Sequence, residues 1–468
     1  MPATAFTPAT TKPLAWLAAA ALVATFAIAV QQHHRTTLKL ADPAGGHVSD
    51  FDRWMIMAPQ FVHGGADYVT DELPTPPLSL LVLGPLAALS RPDAAFVWVL
   101  LKLPLAISVF LMAARIVARA GVTLTPEAVA LVVAGWWLAV VVDMQEGQTN
   151  FLALAPLVAG LLFAQRQTRA GDAAAGALIG LGAAMKVTPI VFVVYFAWRR
   201  RWTIAASALA SVAACSLIVP AIAFGWQQNL RWFGQWARIM ILPYVSEGAV
   251  VYSTSQSVPS AALRLLTDAP AFDSHHGGVT ESHFMNVLSL SNAAARQILR
   301  LCTVAAGAAG LWWTRRPLAA LRSPRYVVEI GAVAAFMLWF SERTWVHHYI
   351  SFLPTLMAAG MVLSDPRCST RSARTVRAAL VLFAATTLLA SEAGKLLGPD
   401  GVDWAKAAGV YLWPSMAVTI AVLTASARRG AGAGEPADFE RGVGLRDRPE
   451  DQEREGGINT DLPRPEIR

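Results

Sequence analysis

The sequence predicts an all-α polytopic membrane protein with about twelve transmembrane helices and two large outward-facing loops. Three observations carry that expectation. Of 468 residues, 55% are hydrophobic and only 15% are charged, with a mean hydropathy of +0.46, whereas soluble domains carry about a quarter charged residues. Apolar runs, most near the length of about 20 residues that crosses a bilayer, recur along the chain. Finally, Lys and Arg gather in short clusters between those runs, which marks cytoplasmic loops and gives the net charge of +7 a topological meaning rather than a nucleic-acid one.

Taken in order, residues 1–12 are a polar start and 13–30 an apolar run long enough to be an uncleaved first helix. Residues 31–76 form the first outward loop. Apolar runs follow at 77–90, 94–118, 126–143, 150–165, 172–198 and 202–224. Residues 225–295, with Trp226, Trp232 and Trp236, make the second outward loop, and further runs lie at 297–314, 326–341, 349–363, 374–391 and 407–426. The integral domain thus covers 1–426, and 427–468, rich in Gly, Pro and charge, reads as a disordered cytoplasmic tail. Arg199 to Arg201, Arg322 and Arg325, Arg371 and Arg374, and Arg428 place one face in the cytoplasm. The same arrangement puts Arg115, Arg119, Arg166 and Arg169 outside, against the rule; half-helices around Lys186 would change that. Cys215, Cys302 and Cys368 lie too far apart for a metal-spaced cluster or a disulfide framework.

Reactive groups are expected on segments that connect a rigid scaffold. The stretch from His47 to Leu81 holds Asp50, Asp52, Asp67, Asp71 and Glu72, followed by Pro76-Pro77, where a helix can start. Asp50 and Asp52 are candidate general bases, although loop acids are ordinarily just solvated. Gln148 and Asn150 lie between two apolar runs and need partners there, either sugar hydroxyls or a helix end. Lys186, three residues before Pro189, is a mid-span cation suited to a phosphate, or else a snorkelling or structurally paired lysine. Gln256 and Arg264 belong to a Ser-rich stretch beginning at Tyr252 that would suit a phosphate or sugar. In the turn from Ser341 to Tyr349, Arg343, Trp345, His347 and His348 fit a sugar-phosphate site, acid-base work or a solvated turn. His275, His276 and His283 sit in a Gly-rich tract without firm ligand spacing and read as plain loop.

The ordered set resembles one family. An Asp followed by Gly, Tyr68 and Pro-Pro, then Gly-Gln-x-Asn at 147–150, Lys-x-x-Pro at 186–189, Ser-Gln-Ser before Arg264, and Trp-x-His-His at 345–348 is similar to glycosyltransferase family 87, the polyprenyl-phosphate-mannose-dependent mannosyltransferases of bacterial envelopes. The resemblance covers about residues 13–425. It implies a C-type glycosyltransferase fold (GT-C) with its active site in an outer-face cavity of the plasma membrane, built from the first loop and a later large one. It matches Asp50 to the family's acid, with Asp52 in reserve, and carries over Gln148, Asn150, Lys186, Gln256, Arg264 and His347 or His348. Trp54 stands where Tyr is usual, Ser255 where Asn is common, and Leu73-Pro-Thr precedes the Pro-Pro.

The expected reaction moves a hexose, mannose first, from a polyprenyl-phosphate donor to an envelope glycolipid or glycan. Lys186, Arg264 or Arg343 would hold the phosphate while Asp50 deprotonates the acceptor, with inversion. No cofactor is expected; a divalent ion on Asp50, Asp52 and the histidines stays open without support from spacing. The alternatives are transfer of another lipid-linked pentose or hexose, and a transporter or flippase, against which the chain shows no internal repeat.

Overall fold

The structure is a computed structural model that describes residues 8–42, 46–64, 66–70, 72–243, 254–276, 278–315, 318 and 320–432. Tyr252, Asp71 and the expected tail from 433 onward lie outside the described residues. The chain divides into one compact unit over 1–427 and a second over 428–468. Five helices are long and apolar enough to cross a membrane, or six if the bent pair Gly401–Ala408 and Leu412–Arg428 is one span, among the described residues.

The first helix, α1 (Pro8–Leu40), runs well past the expected end at Val30, because Thr25, Ile28, Ala29, Gln32 and Thr36 recur every three or four residues and bury against the bundle. The first loop therefore begins later than its polar residues suggest. It contains a second helix, α2 (Asp50–Gly64), with Asp50 and Asp52 in its first turn, where carboxylates suit the helix dipole.

Residues 77–90 do not cross. A short 3-10 turn (Pro77–Ser79) leads into α3 (Leu80–Leu86), after which Arg91 returns to clamp Asp52 of α2, so the segment enters and leaves at one end. Next come α4 (Arg91–Arg119), α5 (Pro126–Glu146) and α6 (Asn150–Ala164), the first two opened by Ser90 and Thr125 caps with Pro in the first turn. Residues 172–198 then break into α7 (Arg169–Met185) and α8 (Ile190–Trp198), with Lys186 extended between them. One expected span is thus lost, and another is broken at Lys186. Arg119 donates to the Leu162 carbonyl and Arg322 to that of Gln165, both at the far end of α6, and Arg115 and Arg166 lie within electrostatic reach of Arg119. The arginines expected on opposite faces share one.

Helix α9 (Trp202–Ala213) packs on α7 at Gly176 and Gly180, where an added Cβ would stand 2.3 Å from the carbonyls of Ile204 and Ala208. Such small-residue stripes allow close backbone approach in lipid. A π-turn (Ala214–Ile218) follows, its freed Ser216 and Leu217 carbonyls capped by the Asn229 amide, and then α10 (Val219–Phe224).

The second loop holds α11 (Trp226–Met240), α12 (Val258–Leu266) and an antiparallel hairpin, β1 (Phe272–His276) with β2 (Val279–His283), pairing Phe272 with His283. The hairpin corrects the plain-loop reading of the histidine tract, within a chain that is otherwise mostly helical. His283 stacks on Phe272 and its Nε2 meets the Ser274 hydroxyl at 2.8 Å. The bundle closes with α13 (Asn292–Trp313), α14 (Pro324–Trp339), a 3-10 turn (Val346–Phe352) running into α15 (Leu353–Ser364), α16 (Thr370–Thr387), α17 (Gly401–Ala408) and α18 (Leu412–Gly432).

Candidate active site

A cavity of about 550 Å³ lies where the first loop, the α5–α6 junction, the α7–α8 break, α11 and the 341–345 turn converge. Asp50, Gln148, Asn150, Lys186, Arg343, Trp345 and His348 all line it, joined by Arg53, Thr188 and Glu342. Leu154, Leu157, Met185, Met337 and Leu338 also line it, so the cavity is amphipathic.

Asp50 opens α2 and is held from both sides: its Oδ1 accepts from Arg53 at 2.8 Å and its Oδ2 accepts from the Gln148 amide. The neighbouring residue Phe51 stacks on Trp98 at 5.2 Å and presses on Gly147. Gly147 caps α5 with φ 68°, and a Cβ there would stand 2.2 Å from Phe51 Cβ, so only glycine fits. The Trp98 indole donates to the Gly147 carbonyl at 2.7 Å, which fixes the α5–α6 turn against α4.

Below the turn lies a buried chain of partners. Lys102 donates to the Asp143 carboxylate at 3.0 Å and to its backbone carbonyl at 2.7 Å, and both side chains are essentially inaccessible. Asn150 donates through Nδ2 to the other Asp143 oxygen at 2.8 Å. A carboxylate only accepts, so the amide must turn its oxygen the other way. That oxygen accepts from Lys186 at the cavity wall. Lys102 and Asp143 escaped the sequence reading, although single charges within apolar runs at 102 and 143 were visible signals of it.

The other expected residues divide differently. Asp52 is fully buried and fully engaged: Arg91 grips both oxygens at 2.8 and 2.7 Å, and the Val48 amide donates at 3.0 Å. It does not line the cavity. Tyr68 is buried with its hydroxyl on the Thr75 carbonyl at 3.1 Å, fixing the strand of chain that re-enters at Pro76. From the second loop, Trp236 donates to the Pro74 carbonyl at 3.0 Å and Trp232 to that of Ala66 at 2.7 Å. The two loops are thereby locked together.

Gln256 and Arg264 lie away from the cavity. Gln256 joins three elements: its amide nitrogen donates to the Lys406 carbonyl at 2.7 Å, its side-chain oxygen accepts from Tyr411, and its carbonyl accepts from Tyr349. Arg264 holds the carbonyls of Ser255 and Ala407 at 3.1 Å, and burial lowers its guanidinium to about 10, which leaves it charged at neutral pH. His348 faces the cavity and accepts the Trp345 amide on Nδ1 at 3.2 Å, whereas His347 is buried behind it with its carbonyl 3.4 Å from the Asn150 amide. Among the described residues no group of three or more His, Cys, Asp or Glu side chains converges as a metal site would.

Arranged so, the cavity can place two carboxylates, three cations and apolar side chains around one ligand. The family model described as Glycosyltransferase family 87 matches residues 75–341. Two relatives, from Mycobacterium tuberculosis and Mycolicibacterium smegmatis, both carry the name polyprenol-phosphate-mannose-dependent alpha-(1-2)-phosphatidylinositol mannoside mannosyltransferase. The first is 29% identical over 54% of this chain and 52% of its own length, the second 27% identical over 55% and 52%. The chain spans about half the length of these relatives.

Proposed function

This chain belongs to glycosyltransferase family 87, and we propose that it moves a hexose, mannose, from a polyprenyl-phosphate donor to a hydroxyl of an envelope glycolipid or glycan, inverting the anomeric centre. The observation that carries this reading is the pairing across one cavity of a carboxylate with cations: Asp50 on α2, with Lys186 and Arg343 on other walls. In the proposed step the Asp50 carboxylate takes the proton from the acceptor hydroxyl as its oxygen bonds to the anomeric carbon. The bond from that carbon to the phosphate oxygen breaks, and Lys186 and Arg343 hold the charge that the departing lipid phosphate keeps. Arg53 and Gln148 aim the base. The apolar side chains suit the first part of the lipid chain.

The helices that run from the cavity end to the arginine end support a fold of about twelve passes in the C-type arrangement, with the cavity on the outer face of the plasma membrane and the C-terminal tail in the cytoplasm. The acceptor named for the two relatives, a phosphatidylinositol mannoside, is the first to offer. Because direct displacement inverts, β-linked lipid mannose should yield an α-mannoside. The test supplies membranes containing the protein with radiolabelled polyprenyl-phosphate-mannose and a lipid extract, then treats the product with an α-mannosidase. Label in a glycolipid that the α-mannosidase releases is the expected result; no consumption by folded protein, or a resistant β-mannoside, overturns the proposal.

A further inference from the structure

Glu342 is a second carboxylate on the cavity wall, and no expectation from the sequence gave it a role. The turn that carries it is fixed through its neighbours rather than through its side chain. Ser341 donates to the Arg343 carbonyl at 3.1 Å, Thr344 donates to the Leu338 carbonyl at 2.7 Å, and Ser257 reaches the Glu342 carbonyl at 3.4 Å. What remains is Oε2, buried and with no hydrogen-bond partner among the described residues. A buried acceptor left unsatisfied costs about 1–3 kcal/mol, more when charged, so its retention on a cavity wall points to a ligand that supplies the donor. Burial raises the carboxyl above its ordinary range, and Arg296 and Arg300 of α13, within electrostatic reach, offset part of that rise.

The rest of the wall narrows the ligand's chemistry. Arg53, Gln148, Lys186, Arg343 and Trp345 all present donors, which suit a phosphate and cannot be what Glu342 awaits from the same ligand. Asp50 already accepts from Arg53 and Gln148. Sugar hydroxyls are the donors that a glycosyl transfer would bring into this space. Resting on the function proposed above, we infer that Glu342 is the cavity's sugar-recognition residue, its carboxylate accepting hydrogen bonds from ring hydroxyls of the hexose on the lipid donor or of the sugar that receives it.

The test compares wild type with Glu342→Gln, which keeps the side chain's size. It uses polyprenyl-phosphate-mannose and its monodeoxy analogues as donors, and octyl α-mannoside and its monodeoxy analogues as acceptors. Removing the recognised hydroxyl should lower kcat/KM of the wild type by about tenfold to a hundredfold, the range for a hydrogen bond to a charged group. In Glu342→Gln the same deletion should cost no more than about threefold, because the charged acceptor is gone. Relief confined to the donor series assigns the donor sugar; relief confined to the acceptor series assigns the acceptor. Wild type that tolerates every deoxy analogue, or a variant with unchanged penalties and only a lowered melting temperature, overturns the inference and leaves Glu342 an anchor for α13. Wild type that transfers no sugar at all fails the proposed function itself.

Discussion

Asp50 and Glu329 are both carboxylates set beside arginines where helices end, yet they are treated in opposite ways. Glu329, on α14, is completely buried; its oxygens accept from Tyr195 at 2.8 Å, from Arg199 at 3.0 Å and from Arg325 at 2.9 Å. Every lone pair has work within the protein, and the side chain is sealed from solvent. Asp50 keeps about a quarter of its side chain accessible and turns it toward a cavity of about 550 Å³. Helix α8 (Ile190–Trp198) connects the two regions, with Lys186 just before its start and Arg199 just past its end, a rise of about 13 Å over its nine residues at roughly 1.5 Å each. A saturated carboxylate secures a helix junction. One with unused lone pairs facing space is available for chemistry, and the same distinction separates Asp50 from Asp52 two residues along α2.

That contrast breaks most visibly at Lys186. Replacing it with Met removes the cavity cation that the Asn150 oxygen holds, and kcat/KM for the lipid-phosphate donor should fall by about a hundredfold to a thousandfold. The melting temperature of the detergent-purified protein should hold or rise, since a desolvated charge is lost. A drop in stability without a change in transfer would make Lys186 structural.

At the other end the expectation reverses. Glu329→Ala strands Arg199 and Arg325 and should cost about 3–5 kcal/mol, read as a lowered melting temperature. The donor KM of the fraction that stays folded should be unchanged. A rise in KM without a loss of stability would tie this cluster to the cavity and erase the distinction between the ends.

Gly147→Ala gives the smallest effect of the three and sharpens the comparison, because it strikes the support beneath Asp50. With φ 68° and Phe51 in the way, the new methyl should cost about 1–3 kcal/mol and push Asp50 off its Gln148 partner. Transfer should fall further than stability does. Equal losses in both would show that the turn holds the fold alone.

How much of this was legible follows from the reach of each signal. Gln148, Asn150 and Lys186 announced themselves as polar groups that interrupt apolar runs, and the structure brings them together on one wall. Lys-Val-Thr-Pro at 186–189 also carried the helix break, but the hydropathy on both sides is continuous, so the run passed for one span. The short segment at 77–90 passed for a span because nothing local says that Arg91 must come back to Asp52. Gln256 and Arg264 have ligand-binding chemistry, yet their partners are backbone carbonyls about 140–150 residues away, at Lys406 and Ala407, which no local pattern reveals. The buried pair Lys102 and Asp143 was readable from charge alone, and its role in orienting Asn150 was not.

The most direct test places Asp50→Asn beside Asp52→Asn in membranes supplied with radiolabelled polyprenyl-phosphate-mannose and a lipid extract, with transfer normalised to folded protein. Losing the base should lower transfer by about a hundredfold or more in Asp50→Asn, while Asp52→Asn, which weakens the clamp to Arg91 and the contact with the Val48 amide, folds less stably but still transfers. Full transfer by Asp50→Asn, or its loss from folded Asp52→Asn alone, would contradict the assignment of the open carboxylate to chemistry and the saturated one to structure.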